Sequence, residues 1–65
     1  MKQSIIDKKA EAQRMSLKNK DVTYYVLDKP RKAAVCVSSQ ILFWKYFNEG
    51  YGPVTRFLNG EEIGK

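Results

Sequence analysis

Lys29, Arg31 and Lys32 crowd around a proline at position 30. A guanidinium grips a phosphate through two parallel donors and an ammonium adds a compact point charge, so this cluster has the chemistry to hold an anion. A basic turn is equally what an ordinary solvated loop contains. Arg56 is a further cation, and Tyr25 and Tyr51 offer rings on which a base can stack. Phosphate pairing combined with stacking describes a nucleotide or single-stranded nucleic-acid site, to which Lys20 and Tyr24 would also contribute. No aromatic signature of an RNA-recognition motif, GXXG clamp or helix-turn-helix pattern accompanies these residues. The glycines at 50, 52, 60 and 64 form no phosphate-binding fingerprint, because none joins the required spacing to a preceding strand and a following helix.

Catalytic and metal chemistry find little to work with. The chain has no histidine and one cysteine, Cys36, which lies in the apolar run 34–37 and reads as a small buried hydrophobe with no base to activate it. Glu61 and Glu62 are adjacent in a turn and diverge. The expectation is a protein that is not an enzyme, with no metal and no cofactor. A lone thiol suits a reducing compartment. No secretory signal pattern opens the sequence, and its longest apolar segment, 41–44, is far too short to cross a bilayer. A cytoplasmic protein with no membrane partner is expected.

The formal net charge is +5, and it is unevenly placed. Residues 1–33 hold nine Lys/Arg against four Asp/Glu, whereas 34–65 hold three of each. This asymmetry fits an anionic partner for the first half, or a solvated helix. At 65 residues the chain makes one domain, 1–65. Such a domain buries only about 60% of the surface its unfolded form exposes. With no disulfide or metal available, self-association is the remaining support, and a homo-oligomer is expected.

Ser4 and Asp7 have capping-box spacing and predict a helix over about 4–18, with Ile6, Ala10 and Leu17 on one stripe and Ile5, Ala12 and Met15 nearby. Val22-Thr23-Tyr24-Tyr25-Val26-Leu27 is rich in strand formers, Pro30 marks a turn and 33–37 is strand-like again, giving a hairpin over about 22–37. Ser38 or Ser39 caps a second helix over about 39–49 that Gly50 ends. A strand at 54–58 leads into Asn59-Gly60, a strong hairpin turn, and a short return strand. The fold class is α+β, a single-layer sheet of three to four strands with two helices in the order α-β-β-α-β(-β). The strands flanking the second helix make a right-handed crossover if they are parallel neighbours. An antiparallel arrangement, with the first helix on the opposite face, stays open.

On a helical wheel Leu42, Phe43, Tyr46 and Phe47 share the core arc of the second helix, leaving Ile41 and Trp44 on its flank. Either the first helix covers that flank or it is an interface. If Val22, Tyr24 and Val26 face the second helix, Thr23, Tyr25 and Leu27 share the other surface with Ala34, Cys36 and Ser38. That surface then packs under the first helix, stacks on another sheet or serves as an aromatic platform.

Tyr24-Tyr25-Val26-Leu27-Asp28-Lys29, the 34–37 run, Gly50-Tyr51-Gly52-Pro53-Val54 and Asn59-Gly60-Glu61 together resemble short, functionally uncharacterised proteins of phages and their gut-bacterial hosts, over about residues 23–62. The resemblance implies the cytoplasm of a bacterial host and, by analogy, a small protein that counters host defence by blocking a protein or sequestering a nucleotide signal in an oligomer. It carries over no functional residues. The combined expectation is a non-catalytic, self-associating protein whose anionic ligand is held by Lys29, Arg31, Lys32 and Arg56 and stacked by Tyr25 or Tyr51. The alternative is a protein–protein inhibitor or assembly factor acting through Ile41 and Trp44 or through a Tyr25/Cys36 sheet face.

Overall fold

The computed structural model describes residues 2–64. They form α1 (Gln3–Lys18), β1 (Tyr24–Asp28), β2 (Val35–Val37), α2 (Gln40–Asn48), β3 (Gly52–Leu58) and β4 (Glu61–Gly64). This is the expected α+β order with the short return strand present. The strands make one antiparallel sheet, ordered β2-β1-β3-β4. β2 and β3 both run antiparallel to β1, so they are parallel to each other but are not neighbours: the β2-α2-β3 connection steps over β1. The central place goes to the strand best able to be buried on both faces, since Val26 and Leu27 are both fully enclosed.

α1 does not start with a capping box. It begins at Gln3 after Lys2, with no side-chain cap. The Ser4 hydroxyl instead accepts the Ala34 N–H at 3.1 Å, and the Asp7 carboxylate accepts from the Gln3 amide at 2.9 Å. Ala34 is buried, so its N–H requires a partner, and Ser4 serves the tertiary structure rather than its own helix. The packed stripe is also displaced from the predicted one. Ile6 and Leu17 are exposed, while Ala12 and Ser16 are fully buried with Ile5 and Met15 beside them. Small residues at 12 and 16 let the helix lie close to the sheet, which larger side chains at those positions would prevent.

Register decides which sheet face meets which helix. Val26 pairs with Cys36 and Thr55, whereas Tyr25 pairs with Val37 and Arg56, and Leu27 with Val35. Tyr24, Val26, Ala34 and Phe57 pack under α1, with Val22 and Cys36 against them. The expected faces are therefore corrected: the Tyr24/Val26 face meets the first helix, and Tyr25 and Cys36 point to opposite sides. Strand periodicity is two, so moving a pairing by one residue exchanges every side chain between faces.

Two turns complete the frame. At Asn59-Gly60 both residues have positive φ, 53° and 85°, as a two-residue hairpin loop requires. α1 holds that turn directly: the Ser16 hydroxyl accepts the Gly60 N–H at 2.9 Å and the Gln13 amide donates to the Gly60 carbonyl at 3.0 Å. The second turn follows β1, where Lys32 N–H donates to the Lys29 carbonyl at 3.1 Å and Arg31 takes φ 67°.

Candidate functional site

α2 is capped by Ser39, whose hydroxyl accepts from Ile41 N–H at 3.1 Å and Leu42 N–H at 3.4 Å. Gly50, at φ 103°, ends it as predicted. Yet none of its residues is buried. Phe43 and Tyr46 are half-buried, and each meets one ring from outside the helix: Phe43 lies 5.0 Å from Tyr25, and Tyr46 lies 5.0 Å from Tyr51. The predicted core arc is thus only half used, because Leu42 and Phe47 remain 41% and 46% exposed. The sheet offers α2 one aromatic foothold, Tyr25, and the connection to β3 a second, Tyr51, rather than a continuous apolar bed, since Arg56 occupies the same face as Tyr25.

An open cleft of about 310 Å³ lies beside this contact, lined by Tyr25, Phe43, Pro53, Thr55 and Arg56. Its volume is at the lower end of the roughly 300–1,000 Å³ range of small-molecule sites. Arg56 sits between Tyr25 on β1 and Gly64 on β4, its register partners on either side, and a Cβ on Gly64 would touch its Nε at 3.5 Å. The guanidinium is exposed, and none of the ion pairs among the described residues engages it. Tyr25 leans on Phe43 at 59° between ring planes, so the two rings form a bent wall. A cation with two parallel donors beside such a wall suits a planar ligand that carries an anionic group. Phe43, Pro53 and Thr55 were not legible as site residues, because only the β1–β3 register and the placement of α2 bring them here.

The remaining predicted cations do not converge on the cleft. Lys29 donates to the Glu49 carbonyl at 2.6 Å, with its ammonium 5.6 Å from the Tyr51 ring centre. Tyr51 is half-buried, edge-on to Tyr46 with the Lys29 ammonium over its ring. Arg31 and Lys32 are exposed at the hairpin tip. That tip is fixed by Lys2, whose ammonium donates to the Asp28 carboxylate at 2.8 Å and to the Lys29 and Lys32 carbonyls at 3.1 and 2.8 Å. Tyr25 to Asp28 spans about 10 Å of strand, which separates the tip from Arg56.

The predicted interface residues lie where a partner can reach them. Ile41 is 82% and Trp44 54% exposed. α1 cannot cover them, since it occupies the opposite face of the sheet. Trp44, Phe43 and Phe47 form one aromatic cluster, with Trp44 edge-on to each at 5.2 and 5.4 Å. Cys36 is half-buried on the α1 side, where burial, reinforced by Glu11 and opposed by Lys8, raises its thiol above the ordinary 9.0. No helix among the described residues is long and apolar enough to cross a membrane. Comparison with family models, curated proteins and solved structures finds no match to this chain.

Proposed function

We propose that this chain is a non-catalytic binding protein that holds an anionic, ring-bearing ligand, a nucleotide or a single-stranded nucleic-acid segment, in the Tyr25/Arg56 cleft. The observation that carries the reading is the exposed Arg56 guanidinium, free of carboxylate partners among the described residues, against the Tyr25 and Phe43 rings. A charged hydrogen bond to phosphate contributes about 1.5–3 kcal/mol and stacking of one base about 1–3 kcal/mol. Together these place a single nucleotide near millimolar affinity and leave tighter binding to a ligand that makes further contacts. Arg31 and Lys32 at the hairpin tip supply such contacts to a longer anion. The resemblance to short phage proteins fits capture of a nucleotide signal in the cytoplasm of a bacterial host. Titration with adenosine and guanosine monophosphates and with a short thymidine oligonucleotide at low salt tests the reading. Saturable binding that Arg56→Ala removes supports it, and no detectable binding of any of the three overturns it.

The exposed residues of α2 favour a second reading, a protein–protein inhibitor or assembly factor. Under it, Trp44→Ala abolishes partner capture and Arg56→Ala is harmless; the opposite pattern belongs to the ligand cleft.

A further inference from the structure

We infer that the outer face of α2 is the contact through which two copies of this chain pair about a twofold axis. The helix carries no buried residue, and Ile41, Trp44 and Phe47, which follow one another at three-residue steps along one side of it, remain 82%, 54% and 46% exposed. With large side chains each presenting about 200 Å², the apolar area left open on that side is on the order of 360 Å², within the roughly 300–600 Å² of the largest patch a monomer shows, a patch that is often functional. Closing that area against its own image buries about 700 Å² of apolar surface, and with the roughly 60–65% apolar share of an interface the contact reaches the roughly 1,000–1,200 Å² at which specific interfaces begin.

Symmetry and charge both favour a second copy over other occupants. A twofold contact presents one patch to itself, so its apolar groups must lie on both sides of the axis. Trp44 stands mid-helix, with Ile41 toward one end and Phe47 toward the other, so an antiparallel partner helix lays Ile41 on the partner's Phe47 and brings the two tryptophans together. The same reversal sets Asn48 against the partner's Gln40, two amides able to bond each other. α2 carries one charged residue, Lys45, and Glu49 follows it, so the patch is locally neutral although the chain is +5. The basic excess lies in α1 and the hairpin tip, and two copies therefore approach at this face without the repulsion they would meet elsewhere. A nucleic acid or an anionic lipid surface finds no cationic attraction here, and an acidic partner finds no counter-charge.

Sedimentation or light-scattering mass measured from about 1 to 100 µM tests the inference over the affinities such a contact supports. The expected result is twice the 7.5 kDa of one chain for the wild type, and a single chain mass for Ile41→Glu and for Trp44→Lys with unchanged far-UV circular dichroism. Trp44 emission should shift to the blue as the wild type associates, and should stay constant in Ile41→Glu. Arg56→Ala should remain a dimer, which separates this inference from the ligand reading. A wild type that is monomeric throughout the range overturns the proposal and leaves the face to a different protein. A dimer that survives both substitutions overturns it as well, because the contact then lies elsewhere.

Discussion

The Lys29 ammonium donates to the backbone carbonyl of Glu49 at 2.6 Å, joining the end of β1 to the last turn of α2. Glu49 is the C-cap of that helix, where carbonyls lack intrahelical partners and a cation is favoured. A Cβ on the following residue, Gly50, would stand 3.3 Å from Lys29 Cε, so the glycine also admits the lysine stem. Lys29 is thereby a positioning residue for α2, and the sequence had grouped it with the anion-binding cations.

Lys29→Ala should lower unfolding stability by about 1 kcal/mol and leave nucleotide affinity unchanged. Arg56→Ala should do the reverse. Urea unfolding and ligand titration on the same pair of variants check both halves.

Tyr25→Leu should weaken nucleotide binding roughly tenfold while Tyr25→Phe retains it, because the ring and not the hydroxyl supplies stacking. For a single-stranded oligonucleotide, Arg56→Ala should also flatten the dependence of log affinity on log salt by about one unit, the signature of one lost phosphate contact. An unaltered slope would remove Arg56 from the proposed site.

Ser16 is fully buried, and its hydroxyl both accepts from Gly60 N–H and donates to the Gln13 carbonyl at 2.9 Å. Ser16→Ala leaves a part-buried donor without its partner and should cost about 1–3 kcal/mol. Gly60→Ala imposes a φ of 85° on an L-residue and drives its Cβ into the Leu17 side chain. Its expected cost is about 1–2 kcal/mol from the backbone alone, with the clash added. Leu17→Ala should relieve the clash in that background and leave the backbone share, which urea midpoints of the single and double variants resolve.

Burial keeps the Cys36 thiol protonated in the folded protein at a pH where the unfolded chain has begun to lose that proton. Well below 9.0 both states hold the proton and the residue contributes no pH dependence. As the pH rises through 9.0 the unfolded chain binds fewer protons than the folded one, so stability falls until the folded thiol itself ionises. Unfolding measured from neutral pH to pH 10, wild type against Cys36→Ala, should diverge only at the alkaline end. Alkylation of Cys36 at neutral pH should be slow in buffer and fast in urea, and equal rates would contradict its burial.

Residue types and spacing were enough for the element order, the Asn59-Gly60 turn, the Ser39 cap and the Gly50 stop, because each depends on backbone preferences that act over a few residues. The same local rules placed Ile41 and Trp44 outside the core arc of α2, and both are exposed. The partnership of Tyr25 with Arg56 lay beyond them, as did the opposite facing of Tyr25 and Cys36. Those follow from how β1 is registered between β2 and β3, a choice that packing against α1 makes with Ala12, Ser16 and Val26. Ser4 was misread for the same reason, and the tie from Lys29 to Glu49 was hidden by it. A hydroxyl near a helix start and an ammonium in a turn each have a local role available, and each was claimed instead by a backbone group, Ala34 N–H or the Glu49 carbonyl, that lies within reach only once the chain has closed.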